Sequence, residues 1–175
     1  MAIKSHFPNG LSPLLFNAFS PLPSRSRPEF IPSTFSLDSS WIAGFINGDG
    51  SFSLGFTKKS NSRLGATCLP TFSIVQHERD RILLERIQSS LGCGKFSSLK
   101  VDGCYDLRVA DIATITSKIV PFFTSHTLQG AKALDFRDFC LGIEIMNKGG
   151  HLTEVGLTKL RSLYLGMNSN RTKFD

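Results

Sequence analysis

The sequence predicts an α+β fold in the order αββαββα, with one antiparallel four-stranded sheet covered by helices on one face. Three observations carry that prediction. Apolar spacing switches from helical to strictly alternating at Ser51. Two pairs of alternating segments come next, each pair joined by a polar turn and the two separated by a helical stretch. After Val109 only helical patterns remain, so the strands must form one sheet and the helices must cover it.

Residues 1–37 contain most of the prolines (Pro8, Pro13, Pro21, Pro23, Pro28 and Pro32), many serines and no acid before Glu29. This is the composition of a tail or linker. An organellar presequence is the alternative, disfavoured by the scarcity of arginine before Arg25 and by the absence of an amphipathic period. The domain proper is expected over 38–170, with a frayed basic tail from about Asn168, and 171–175 outside the domain.

The first helix begins at once. Asp38 or Ser39 can cap it, Trp41, Ile42, Phe45 and Ile46 give it apolar bulk, and Gly48 or Gly50 can end it in the left-handed conformation. Gly44 and Gly48 lie four apart on one face, each lowering helix propensity by ~1 kcal/mol relative to alanine. Small residues at that spacing, with Ala43 beside them, predict an interface at which two helix backbones approach closely. Two such helices would bring two Asp49 carboxylates together.

From Ser51 the residues Phe52, Leu54 and Phe56 alternate with Ser51, Ser53 and Thr57, a half-buried strand. A basic polar loop over 58–65 leads to its partner, Thr67 to Gln76, where Phe72 and Ile74 alternate with Thr71 and Ser73. Glu78 to Leu91 reads as a core-facing helix through Ile82, Leu83, Ile87 and Leu91, stopped by Gly92. A second hairpin joins Lys95–Leu99 to Cys104–Val109, with Tyr105, Leu107 and Val109 inward and Asp106 and Arg108 outward. Asp111 can cap a helix running to about Val120, where Pro121 should stop it. Lys132 to Met146 is a further helix, carrying Leu134, Phe136, Phe139 and Ile143, and the last runs from a Thr153 cap to Leu165.

With 175 residues and 41% hydrophobic content, the chain can bury one good core. A net charge of +6 and a pI near 9.4 suit a polyanionic partner. Cys68, Cys93, Cys104 and Cys140 are scattered without a C-x-x-C pair or a nearby histidine set, which argues against a zinc site or a disulfide framework and for buried thiols. No uninterrupted apolar run approaches the ~18 residues of a membrane span, so a soluble protein with no membrane partner is expected.

The stretch Ile42-Ala43-Gly44-Phe45-Ile46-Asn47-Gly48-Asp49-Gly50 resembles the signature of the LAGLIDADG homing endonucleases, position by position with conservative changes. The likeness extends through Ser51-Phe52-Ser53, Gln76-His77, Arg79-Asp80, Leu83-Leu84, Lys132, Asp135-Phe136, His151-Leu152-Thr153-Glu154 and Met167-Asn168, covering residues 41 to 170. Its flavour is that of organellar intron-encoded enzymes, which implies a mitochondrial location, with the chloroplast as alternative. The implied activity is site-specific double-strand DNA cleavage at a long site with Mg²⁺ or another divalent cation.

Read without the resemblance, Asp49-Gly50 is most often a turn, Gln76 an edge polar residue and Lys132 an exposed helix lysine. The resemblance implies instead that Asp49 binds metal with the carbonyl of Gly48, that Gln76 positions the water network, and that Lys132 opposes phosphate charge. Asn47 stands where the family carries a first acid; it adds no charge and is assigned structural work. His77 is not assigned a catalytic part. The outward strand residues, ordinarily a solvated face, become candidates for reading DNA, since a β-ribbon fits the major groove. They are Ser51, Ser53, Thr57 and Lys59, then Leu69, Thr71 and Ser73, then Lys95, Ser97, Asp106 and Arg108. Lys58 and Arg63 suit phosphate better than bases.

Two rival functions stay open. One is an intron RNA-splicing maturase, because proteins of this family also bind their host introns; the other is a DNA-binding remnant without activity. Two assemblies also stay open, since a monomer holds one Asp49. A homodimer reading a pseudo-palindromic site is preferred slightly over the carboxyl-terminal half of a two-motif enzyme paired with a complementary half.

Overall fold

The computed structural model describes residues 36–58, 60, 63–98 and 103–171, together with Leu14 and Ala18. It divides into a unit over Met1–Phe35, of which only the helical, exposed Leu14 and Ala18 are described, and a second unit over Ser36–Asp175. The sheet and the helices that cover it belong to the second unit. The expectation of a Pro-rich linker lies almost wholly outside the described residues, as does the expected DNA contact of Lys59.

The helices and strands are α1 (Ser39–Asp49), β1 (Gly50–Lys58), β2 (Ala66–His77), α2 (Arg81–Leu91), β3 (Lys95–Ser98), β4 (Cys104–Val109), α3 (Ile112–Thr114), α4 (Val120–Ser125), α5 (Gly130–Asn147) and α6 (Glu154–Leu165). A π-turn over Ile115–Ile119 joins α3 to α4. All strand pairs are antiparallel, in the order β1-β2-β4-β3. The register puts Phe52, Phe72 and Val109 in one inward row and Ile74, Leu107 and Phe96 in the next. Phe52, Leu54, Phe72, Ile74 and Leu107 are fully buried. The Phe52 ring packs against Phe72, Phe123, Phe136 and Phe139, so one side chain joins the sheet to α4 and α5.

Close approach fixes where α5 lies. A Cβ on Gly142 would come within 2.7 Å of Leu54 Cδ1, so α5 rests on β1 closely enough that any larger residue there would make Leu54 shift. In the same register, β2 carries Pro70, paired with Leu54. A proline there is tolerated because β4 pairs with β2 only from Phe72 onward, which leaves the proline on a stretch with a single neighbour.

Several boundaries agree with the sequence reading. Asp38 caps α1 by accepting the Trp41 N–H at 2.9 Å, Gly92 ends α2 at φ 63°, Asp111 accepts from Thr114 N–H at 2.8 Å, and Thr153 caps α6. Four points differ. The first helix does not end on a left-handed glycine: Gly50 is extended, at φ −79°, and its N–H closes on the Ile46 carbonyl. Glycine is required there because a Cβ would stand 2.4 Å from Ile46 Cγ2. In α2 the buried stripe is Leu84, Ile87 and Leu91, and Ile82, one position off it, is 52% exposed.

Pro121 does not stop its helix. The Val120 N–H bonds back five residues to Ile115, and this wider turn makes room for the proline ring and its missing donor. Finally, the chain does not fray at Asn168. A 3₁₀ turn over Asn168–Asn170 leads to Arg171, whose guanidinium reaches Asp135 at 2.9 Å and Asp138 at 2.7 Å. Those two acids lie on the buried side of α5 beside Phe139 and need a cation.

Candidate active site and nucleic-acid interface

Three residues of the signature turn each take a partner from elsewhere in the fold. Asp49, the last residue of α1, is exposed and accepts a hydrogen bond from Gln76 Nε2 at 2.9 Å. Gly50, the first residue of β1, accepts through its carbonyl from Lys132 Nζ at 2.5 Å. Asn47 Oδ1 accepts from the Gln129 N–H at 2.8 Å, and Gln129 is the N-cap of α5. The sequence reading assigns Asn47 structural work without identifying its partner, and the partner is the start of the helix that carries Lys132.

The electrostatics of this turn run against helix stability. A carboxylate at the C-terminus of α1 meets the negative end of the helix dipole, and Lys132 in the first turn of α5 meets a positive end. Both residues are of the type the dipole disfavours at its position. The C-terminal carbonyls of α1, Gly48 among them, lack intrahelical donors. Asp49 and the Gly48 carbonyl together form a small set of hard oxygen donors at a negative helix terminus, which suits a divalent cation such as Mg²⁺. Among the described residues no three His, Cys, Asp or Glu side chains gather to hold a metal.

The outward residues fall into register. Ser51, Ser73, Arg108 and Lys95 form one row across all four strands; Ser53 faces Thr71, Gly55 faces Leu69, and Thr57 faces Thr67. Thr57, Lys58, Arg63, Leu69, Lys95, Ser97 and Arg108 are exposed, and Ser51, Ser53, Thr71 and Ser73 are half-buried. Asp106 differs from expectation. It lies on the outward side of β4 opposite Val75 and Ser97, yet it is 1% exposed and ion-paired with Arg108 at 2.7 Å. A buried carboxylate cannot reach a base edge itself. Opposite charges two apart on one strand face were the available signal for this pair.

The expected interface also resolves into two parts. A Cβ on Gly44 or Gly48 would meet nothing within 4 Å, so that face of α1 is open among the described residues. Ala43, by contrast, is 5% exposed and belongs to the chain's own core. Beside Gly44 runs an open cleft of about 460 Å³, bordered by Ser40, Ala43 and Asn47 on one side and Ser125 and His126 on the other. All four cysteines are free; burial pushes the thiols of Cys68 and Cys140 up to about 11, so neither is a thiolate at neutral pH.

Residues 42–142, more than half of the chain, match the family model described as LAGLIDADG endonuclease. The chain belongs to the LAGLIDADG endonuclease family. It is 32% identical over 164 residues to the probable intron-encoded endonuclease 3 of Neurospora crassa, covering 94% of this chain and 30% of that protein. It is 32% identical over 101 residues to the probable intron-encoded DNA endonuclease 1 of Mycosarcoma maydis, covering 58% of this chain and 35% of that one. Among solved structures, the I-SmaMI LAGLIDADG homing endonuclease bound to cleaved DNA is 36% identical with a TM-score of 0.86. The I-LtrWI LAGLIDADG homing endonuclease bound to target DNA is 38% identical with a TM-score of 0.85. The present chain covers 96% and 97% of itself in these matches but only 56% of each of those chains. The homing endonuclease I-TnaI, 34% identical with a TM-score of 0.73, is 92% covered. This LAGLIDADG chain thus spans about a third of its curated relatives and about half of the longer solved chains.

Proposed function

We propose that this LAGLIDADG chain forms the site of a metal-dependent endonuclease that cuts both strands of DNA at a long recognition site, as in intron homing. The observation that carries the reading is the exposed Asp49 carboxylate, oriented by Gln76, beside a sheet face lined with small polar and basic side chains. The N. crassa and M. maydis relatives are named as intron-encoded endonucleases, and two of the structural neighbours hold target or cleaved DNA.

In this reading Asp49 and the Gly48 carbonyl hold Mg²⁺ or another divalent cation. Bound there, the cation supplies Lewis acidity and a water of lowered pKa. Gln76 fixes the orientation of the Asp49 carboxylate and offers its remaining amide groups to nearby water. Lys132, held against the Gly50 carbonyl, supplies a positive charge for the phosphate as negative charge develops on it. Asn47 ties α5 to the signature turn so that Lys132 keeps its place. The outward rows of the sheet read bases in the major groove, and Lys58 and Arg63 neutralise phosphates.

A single chain holds one Asp49, so the complete site requires a second signature helix. The open Gly44 and Gly48 face of α1 fits that helix, from a second copy of this chain or from a complementary half. The homodimer is the simpler form. Gly44→Leu should then abolish association, read as a fall in mass by light scattering, and an unchanged mass would refute it. The intron-encoded relatives favour a mitochondrial location, with the chloroplast as alternative. Cleavage is preferred over a pure maturase or a remnant because Asp49, Gln76 and Lys132 are all retained and in contact with one turn.

The deciding experiment selects bound sites from a randomised duplex pool, clones them into plasmids and measures Mg²⁺-dependent cutting. Wild type should cut, and Asp49→Asn should not, while binding stays within a few fold. Sequence-specific binding without cutting by wild type would support the remnant, and preference for structured RNA over duplex DNA would support the maturase.

A further inference from the structure

Asp106 and Arg108 do something the DNA-reading face does not otherwise require. Both lie on the outward side of β4, two residues apart, yet Asp106 is 1% exposed while the Arg108 side chain is 54% exposed. Arg108 Nε donates to Asp106 Oδ2 at 2.8 Å, and Arg108 Nη2 lies 2.7 Å from the same oxygen. The other oxygen, Oδ1, is buried and has no hydrogen-bond partner. An ordinary surface ion pair leaves both partners solvated and mobile. Here one partner is sunk into the face, and the exposed one is pinned by two of its five donors.

Three N–H groups remain on Arg108, two on Nη1 and one on Nη2. One N–H from each of these nitrogens makes up the parallel fork that matches guanine O6 and N7. Position separates base from phosphate. β4 is an interior strand, flanked by β2 and β3, and Arg108 stands opposite Ser73 on one side and Lys95 on the other. Arginine at the middle of a sheet face meets the groove floor, whereas phosphates run along its rims. No carboxylate or carbonyl side chain flanks the fork to draw it away: Ser73 offers only a short, half-buried hydroxyl, and Lys95 has only donors.

We propose that Arg108 reads one guanine of the target and that Asp106 is the positioning residue that sets its fork. This rests on the DNA-binding reading above and deepens it. Asp106 acts only through Arg108. Once Arg108 is removed, the Asp106 carboxylate faces the DNA uncompensated and repels it.

The test is enrichment of sites from a randomised duplex pool by the purified full chain, for wild type and variants, with circular dichroism as the check on folding. Wild type should favour guanine at one fixed position by roughly 5- to 150-fold, the discrimination of one bidentate contact. Arg108→Gln and Arg108→Lys should lose that position alone. Asp106→Asn should relax the same position while the others persist. Asp106→Glu keeps the charge but displaces the fork, and should also weaken the preference, which covers a failure of Asp106→Asn to fold. Arg108→Ala should weaken binding to every duplex more than the double variant Arg108→Ala with Asp106→Asn.

The outcomes separate cleanly. If wild type enriches no sequence, the DNA-binding reading falls and this inference with it. If wild type enriches a site whose guanines all persist in Arg108→Gln, the assignment of Arg108 is overturned. If Arg108→Gln loses the guanine but both Asp106 variants keep it at full strength, the positioning assignment is overturned.

Discussion

Replacing Arg171 with alanine should cost the fold far more than the loss of an ordinary surface arginine. Its side chain is 9% exposed and bridges Asp135 and Asp138, whose side chains are 6% and 12% exposed. Asp135 also accepts from the Asn168 N–H at 3.0 Å, and the Asn168 side chain donates to the Phe52 carbonyl at 2.9 Å. Arg171 therefore bridges two acids, the second of which also meets Arg137 Nε at 3.3 Å, and ties this segment to α5 and β1. Removing one partner of a fully buried pair costs about 3–5 kcal/mol. Asp138 keeps some exposure and its contact with Arg137, so the expected loss is about 2–4 kcal/mol, or roughly 6–12 °C at about 3 °C per kcal/mol for a domain of this size. The assay is thermal unfolding of Arg171→Ala in the wild-type background and again with Asp135→Asn and Asp138→Asn already present. In the second background the carboxylates are gone and the loss should shrink to under about 1 kcal/mol. Equal losses in both backgrounds would refute the charge argument, and a wild-type midpoint for Arg171→Ala would refute the clamp altogether.

Two further outcomes concern single sites. Gly156→Ala should destabilise by about 3 kcal/mol in urea unfolding, because the new Cβ would stand 2.1 Å from the Gly150 carbonyl oxygen, a backbone atom that cannot turn aside; an unchanged midpoint would count against that contact. Lys58→Ala should weaken binding to specific and random duplexes alike and reduce the slope of log affinity against log salt by about 1, so a loss confined to the specific site would move Lys58 from phosphate to base contact.

The parts of the fold that were legible in the sequence are those set by local rules. The α1 cap at Asp38, the alternation of β1 and β2, the left-handed Gly92 and the Thr153 cap each depend on residues within a few positions of one another. What misled was local evidence settled by distant atoms. Pro121 looked like a helix stop because the π-turn that absorbs it leaves no compositional mark. Arg171 looked like part of a tail because its partners lie 33 and 36 positions away, although two acids on the apolar side of α5 implied a missing cation. For the candidate site, the resemblance singles out Asp49, Gln76 and Lys132, and the structure hydrogen-bonds Gln76 and Lys132 to the signature turn that carries Asp49. Neither spacing nor resemblance could tell that Asp106 is buried, since alternation gives the side of a strand and says nothing about depth.

Pro70 has a meaning beyond being tolerated where it stands. Past Phe72 toward the hairpin loop, β2 has β1 on one side and no strand among the described residues on the other, which makes that stretch an edge open to recruitment by any extended segment. A proline has no N–H to offer such a segment. Standing beyond the last residue that β4 pairs, Pro70 helps keep the projecting ribbon two strands wide, the width a major groove admits. It also discourages copies of this chain from joining edge to edge into a continuous sheet.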